Sequence, residues 1–351
     1  MSGFRLPATV RASLATATAL TAALSVFTPV SAARAADAGP PNYVALGDSY
    51  SANVFVRPWN PGDGCGRSYR DYPHQVAEGL GLNLVDATCG AAEVQDGILG
   101  PQPASKLYGP PSVPPAGGWA DRPAQIERLH ADTDYVSVGI GGNTLGFGDI
   151  VTQCLERGLN TLGFGTPCKN YYTTGEGRDW LAGKFAQLDD EFGQMMTAIR
   201  DRAPNAKVAV VGYPAIVPDN SGCSWNVWRQ LGTIAKGDMP WLDGVERQLN
   251  ALIAQQADDN GATYVDTYGP SVDHGVCAAE GPQKWMYGVR DDLTGQGDQT
   301  DPPSALCSQI PGNGEACTFV HPNAYGADSQ ARQVQDAFEQ FRTSAAAAGS
   351  S

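Results

Sequence analysis

Ser49 lies in the segment Gly47-Asp48-Ser49-Tyr50-Ser51, directly after the apolar run Tyr43 to Leu46. Such a run reads as a buried strand of a parallel sheet, and open α/β sheets place their ligands at the carboxyl ends of their strands. Ser49 is therefore placed as a nucleophile. A serine hydroxyl needs a base to take its proton, and the histidines available are His74, His130, His274 and His321. His321 falls in Val320-His321-Pro322-Asn323, a loop segment ahead of the last helical stretch, and is the expected base. His74 and His130 fall on predicted helices beside apolar positions, where a structural role is the simpler reading. His274, three residues before Cys277, is the runner-up, and packing of its own loop is its plainer role.

Elements must bring these groups together. Five runs of apolar or β-branched residues, each closed by Gly, Cys or Asp, predict strands at Tyr43 to Leu46, Leu82 to Ala87, Tyr135 to Ile140, Lys207 to Val211 and Thr263 to Asp266. Helices are predicted at Tyr72 to Gly79, Pro123 to His130, Trp180 to Asp201, Trp241 to Asp259 and Ala324 to Phe341. Leu242, Val245, Leu249 and Leu252 recur at helical spacing, the stripe of a core-facing helix. This alternation predicts an α/β domain with a parallel sheet. Three insertions, at about 144–178, 213–239 and 269–317, read as cysteine-stapled loops.

The pattern then becomes specific. Gly47-Asp48-Ser49-Tyr50, Cys89-Gly90-Ala91, Gly141-Gly142-Asn143 and His321-Pro322-Asn323 resemble, in order, the four blocks of the SGNH or GDSL hydrolases, and more narrowly their secreted bacterial lipase and esterase branch. The resemblance runs from about Asn42 to Phe341. It implies a flavodoxin-like three-layer α/β/α fold around a five-stranded parallel sheet of order 2-1-3-4-5. It also implies that Ser49 is the nucleophile and His321 the base. The backbone N–H groups of Ser49 and Gly90 and the side-chain amide of Asn143 would form the oxyanion hole. Attack on an ester moves negative charge onto the carbonyl oxygen, and donors already aimed at it stabilise that charge more than the ground state. Taken singly, the same residues have plainer explanations: a glycine beside a disulfide, a tight turn and a helix cap.

Two positions depart from the family pattern, which has Asp after the third-block Asn and Asp three residues before the catalytic His. This sequence has Thr144 and Thr318 there. The second change removes the acid that orients the imidazole. The expected substitute is the backbone carbonyl of Thr318, with Asp266 as the competing acid. For the cysteines, the resemblance implies pairing of Cys65 with Cys89, Cys154 with Cys168 and Cys223 with Cys277, which leaves Cys307 and Cys317 as a fourth pair.

Composition narrows the remaining classes. The 351 residues carry 23 Lys plus Arg against 37 Asp plus Glu, a net charge of −14. Such a balance repels phosphate backbones, and no basic cluster argues for a nucleic-acid partner. Residues 1–35 read as a secretory signal, with Arg5 and Arg11, an apolar stretch from Leu14 to Phe27 and an Ala33-Arg34-Ala35 cleavage site. Its apolar core is too short to span a bilayer. Losing its three arginines makes the mature chain still more acidic. Residues 36–351 are then one domain, with a frayed tail from about 344, acting outside the cell as a monomer.

In an oxidising compartment eight cysteines read as disulfides. By themselves they allow roughly a hundred connectivities, and neighbour pairing is the simplest. Asp291, Asp292, Asp298 and Asp301 share an acidic loop without EF-hand spacing, so no metal is expected there. No nucleotide loop, HExxH or GxSxG elbow occurs, and no cofactor is implied. Phe147, Phe164, Tyr171, Tyr172, Trp225, Trp228, Trp285 and Tyr287 supply aromatic surface either for an acyl groove or for packing under the loops. The expected function is hydrolysis of lipid or short to medium acyl esters. The alternatives are a carbohydrate or polymer acetyl esterase and a catalytically silent binding protein on the same scaffold.

Overall fold

Neighbouring residues of the central strands bury on opposite faces, which builds three layers. In a computed structural model that describes residues 39–348 except 59, 61, 63, 108–114, 221, 222, 225–230, 280 and 289–319, β1 (Asn42–Gly47) and β3 (Tyr135–Gly139) are almost wholly buried. Val44, Leu46, Val136 and Val138 join one apolar cluster, whereas Tyr43, Ala45 and Tyr135 join another. A strand covered on both sides is largely apolar, and this is why these runs lack the polar alternation of a half-exposed strand; the buried Ser137 of β3 is satisfied by the Tyr43 hydroxyl at 2.7 Å.

The sheet is completed by β2 (Asn83–Asp86), β4 (Lys207–Val211) and β5 (Thr263–Val265). All pairings are parallel and the order is β2-β1-β3-β4-β5, the order the resemblance implied. The shortest connection worth noting is α1 (Ser49–Ala52), a single turn that begins directly after β1. One face is covered by α2 (Tyr72–Leu80) and by the final helix α8 (Ala324–Ala348), through Tyr72, Val76, Val334 and Phe338. The other is covered by α6 (Gly175–Arg202) and α7 (Met239–Asp259), through Leu188, Phe192, Val245 and Leu249.

Several expectations are corrected. Pro123 to His130 does not form an α-helix: only a 3-10 turn at Gln125–Arg128 is present. The Gln125 and Ile126 N–H groups donate to Gly97 and Ile98 carbonyls, so the donors a helix start would present are already taken by the neighbouring loop. The 144–178 insertion is helical rather than a loop. It contains α3 (Gly142–Leu145), α4 (Phe147–Asn160) and α5 (Pro167–Tyr172), the last two tied by the Cys154 to Cys168 disulfide. Cys65 bonds Cys89 and Cys223 bonds Cys277, whereas Cys307 and Cys317 lie outside the described residues. So do the leader, Thr318, the acidic loop and both Trp225 and Trp228. The last helix runs to Ala348, and the rest of the tail, for which fraying was expected, lies outside the described residues.

Candidate active site

The turn that presents Ser49 is held from three sides. Gly47 ends β1 at φ +151, and a side chain there would collide with the Ser51 hydroxyl and the Gly139 carbonyl, so only glycine fits. The Gln125 amide clamps Gly47, accepting from its N–H at 2.8 Å and donating to its carbonyl at 2.9 Å. Asp48 then caps α1, its carboxylate accepting the Tyr50 N–H at 2.9 Å. Ser49 is the first residue of that turn, a position whose N–H has no acceptor within the helix, and it lines an apolar cavity together with Phe55, Phe147 and Leu249.

His321 reaches Ser49 across 272 residues: its Nε2 stands 2.8 Å from the Ser49 Oγ. Its position follows from the Pro322-Asn323 pair. Asn323 caps α8, its side-chain oxygen accepting the Tyr325 N–H at 3.0 Å and the Gly326 N–H at 3.2 Å. Its backbone N–H donates to the Trp285 carbonyl, and the Tyr287 N–H donates to the His321 carbonyl. Tyr50 and Phe55 flank the imidazole at ring-centre distances of 4.9 and 5.2 Å. Val320 sits beside it in the left-handed region at φ +57, a costly conformation for a β-branched residue. Its carbonyl accepts the Tyr50 O–H at 2.6 Å.

Asn143 stands in α3, after β3, and lines the same cavity as Ser49 and His321. One of its amide hydrogens goes to the Ala92 carbonyl at 2.9 Å, which fixes the side chain and leaves the second donor of the amide for the cavity. Gly90 is placed differently from the expectation. Its N–H donates to the Cys65 carbonyl at 2.9 Å and it does not line the cavity. The Cys65 to Cys89 disulfide draws the Cys65 backbone alongside and supplies that acceptor. To join an oxyanion hole the Gly90 N–H must exchange Cys65 for the substrate oxygen. Thr144, which replaces the family Asp, accepts the Val94 N–H at 3.0 Å.

The remaining histidines and the rival acid have local duties. His74 pairs with Asp71 at 2.7 Å, and His130 is exposed in a turn. His274 stacks on Trp285 at 3.7 Å and bonds the Gln283 carbonyl, the packing role weighed for it. Asp266 is exposed and accepts the Gly269 N–H at 2.9 Å. Asp266→Asn should therefore leave kcat within about twofold of wild type, surface changes of this kind being worth about half a kcal/mol or less. A large fall in a steady-state assay with the fold intact would instead make Asp266 the orienting acid.

Three further residues could not be singled out from sequence. Tyr213, just beyond β4, donates its O–H to Asp48 at 2.5 Å and accepts the Gly142 N–H at 2.7 Å. It thereby joins the nucleophile turn to the turn carrying Asn143. Asn250 on α7 grips the Tyr213 backbone, accepting its N–H at 2.7 Å and donating to its carbonyl at 2.9 Å. Glu246, one turn earlier on the same helix face, is buried and lines the cavity. Glu246 and Asn250 did leave a signal, a polar pair four residues apart inside the apolar stripe of α7, whereas Tyr213 left none. Burial pushes the Asp48 carboxyl up to about 6 despite its bonds from Tyr213 and Tyr50. Burial likewise raises Glu246 well above its ordinary value.

A serine and a histidine in hydrogen-bond contact, beside an anchored amide and an apolar cavity, can carry acyl transfer. The sequence matches the GDSL-like Lipase/Acylhydrolase family over residues 45–328. It is 34% identical to Lipase 2 of Streptomyces coelicolor over 94% of this chain and 97% of that protein. It is 30% identical to an esterase of Streptomyces scabiei over 95% of each. The fold matches the crystal structure of phospholipase A1 from Streptomyces albidoflavus NA297 with a TM-score of 0.60 and 23% identity, over 85% of this chain and 99% of that one.

Proposed function

The chain belongs to the GDSL-like lipase/acylhydrolase family, and from that premise we propose that it is an exported enzyme cleaving lipid or short to medium acyl esters through a Ser49 acyl-enzyme. It is a carboxylic ester hydrolase of the SGNH lipase and esterase type. The observation that carries the residue assignment is the 2.8 Å contact between the His321 Nε2 and the Ser49 Oγ in an apolar cavity.

His321 takes the Ser49 proton as Oγ bonds the ester carbonyl carbon. The oxygen that gains charge is received by the Ser49 N–H and the Asn143 amide, with the Gly90 N–H as a third donor once released from Cys65. Collapse expels the alcohol, which takes the proton from His321. Water, deprotonated by the same imidazole, then bonds the acyl carbon; the bond to Oγ breaks, the acid leaves and the imidazole returns the proton to Ser49. The sequence of steps is complete without a cofactor. The Thr318 carbonyl is proposed to orient the imidazole, a reading supported by the local engagement of Asp266 with Gly269.

Export is supported by the leader-like residues 1–35 and by the three disulfides, which persist in oxidising compartments. None of the described helices is long and apolar enough to cross a membrane. The cavity of about 220 Å³ is lined largely by apolar side chains such as Phe147, Val151 and Leu249, which favours an acyl chain over a sugar. Hydrolysis of p-nitrophenyl esters from acetyl to palmitoyl, beside acetylated oligosaccharides, tests this. The expected result is a maximum at short to medium chains. Turnover of sugar acetates alone would move the protein to the polymer deacetylases, and no turnover at all would leave the binding-protein reading.

A further inference from the structure

The cavity beside Ser49 contains one feature that a plain hydrocarbon chain does not explain. Glu246 lies among Phe147, Val151, Ile216 and Leu249 as a cavity-lining residue with 1% exposure. Its Oε2 accepts the Ile216 N–H at 3.1 Å, whereas its Oε1 is buried and has no hydrogen-bond partner among the described residues. A buried polar atom without a partner is destabilising. A leucine or methionine at this position of α7 would extend the apolar wall without that cost. An unpaired acid retained in a substrate cavity is accounted for if the substrate supplies the missing partner.

We propose that Glu246 is a specificity residue that recognises a hydroxyl group carried on the acyl chain of the ester, so that the preferred substrates are hydroxylated acyl esters. The proposal rests on the ester hydrolase reading of the same site and deepens it. The acyl arm is the one concerned because it stays bonded to Ser49 through deacylation and needs an enclosed seat, while the alcohol must leave by the open mouth. The hydroxyl follows from the state of the acid. Burial, and after it the neighbouring Asp243, raises the Glu246 carboxyl well above its ordinary value, which favours the protonated form in the cavity. Because Oε2 already accepts from Ile216, Oε1 is the oxygen left to bond a ligand, and in the protonated acid it can donate one hydrogen bond and accept another. A hydroxyl offers both complements, whereas a methylene offers neither. Sites built to bond a substrate hydroxyl discriminate strongly against analogues that lack it, because their own polar group is left unpaired.

The test compares p-nitrophenyl esters of straight-chain acids with the same acids hydroxylated at the far end, across short to medium lengths. The wild-type protein should show, at one chain length, a kcat/KM for the hydroxylated ester at least about tenfold above that of its unsubstituted partner. The Glu246→Gln variant keeps an oxygen for the Ile216 N–H and a donor for the cavity, and should retain most of that ratio. In Glu246→Leu the ratio should fall to about one. Should the leucine variant fail to fold, the wild-type ratio and the glutamine variant still decide. Hydrolysis of the plain esters with no hydroxyl preference at any length overturns the role of Glu246 and leaves the esterase reading intact. A preference for far-end ammonium esters over hydroxyl esters overturns the neutral-acid argument. Failure to cleave any ester refutes the esterase reading itself.

Discussion

Ser49→Ala is expected to lower kcat by about 10⁴- to 10⁶-fold while leaving the circular dichroism spectrum and substrate affinity close to wild type. The Oγ is the atom that forms the covalent bond, and no other hydroxyl is held by an imidazole at this mouth of the cavity among the described residues. His321→Ala is expected to fall by a comparable factor. Serine without a base is a poor nucleophile, and a base without serine has nothing to activate. The double variant should therefore be no worse than either single one. Such non-additivity marks two groups acting in one step. Active-site titration with an ester that accumulates an acyl-enzyme gives the same answer independently: a burst in wild type and none in either variant. Multiplying losses in the double variant, or a burst that survives Ser49→Ala, would remove the pair from the mechanism.

The parts legible from sequence were those whose chemistry is confined to one residue type next to one element. Ser49 followed from a strand end, His321 from a loop before a helix, and the sheet order from the family pattern. The strands were readable because β1, β3 and β4 bury both faces and so carry continuous apolar runs. The failures share a cause too. Pro123 to His130 has a helical pattern, but tertiary hydrogen bonds to Gly97 and Ile98 take its N–H groups. The residues after Asn143 look like loop because of their glycines, yet α4 and α5 form and the Cys154 to Cys168 bond ties them. Gly90 is not among these failures: its N–H bonds the carbonyl of Cys65, 25 positions away, and its place in the oxyanion hole remains a proposal.

The support of the site was hidden for the same reason. Gln125, Tyr213 and Asn250 act through contacts of 78, 165 and 37 residues' separation, and nothing local distinguishes them from structural polar residues. What sequence did contain was an inconsistency. Glu246 and Asn250 interrupt the stripe that Leu242, Val245 and Leu249 define. A polar residue on a core-facing stripe must find a buried partner or a ligand. Asn250 finds the Tyr213 backbone, and Glu246 finds only half of what it needs.

Asp48 provides the second large effect, and it runs against the usual direction for a carboxylate. Buried and uncharged by any neighbouring cation, it ionises at about 6 in the folded protein, against about 3.9 in an unfolded chain. Between those values the unfolded state loses its proton first, so rising pH favours unfolding. The penalty is absent below about pH 4 and complete above about pH 6, and a gap of about two pH units corresponds to about 3 kcal/mol. Asp48→Asn removes the ionisation. The difference in unfolding free energy between variant and wild type should therefore shift by about 3 kcal/mol in favour of the variant between pH 4 and pH 7, read from urea titrations at each pH. Activity should move the other way. Asp48 accepts the Tyr50 N–H on one oxygen and the Tyr213 O–H on the other, whereas an amide has a single acceptor oxygen. With that oxygen capping the turn, the Tyr213 O–H loses its acceptor, the tie from Tyr213 to Gly142 slackens and Asn143 loses its register with Ser49. Displacements of this order cost about ten- to a hundredfold in kcat. A difference in stability that does not vary with pH would mean that Asp48 titrates normally. An unchanged kcat would mean that the Asp48, Tyr213 and Gly142 chain does not hold the oxyanion donors in place. The carboxylate at this position destabilises the folded protein at neutral pH, and its retention beside the nucleophile is accounted for by the alignment it imposes.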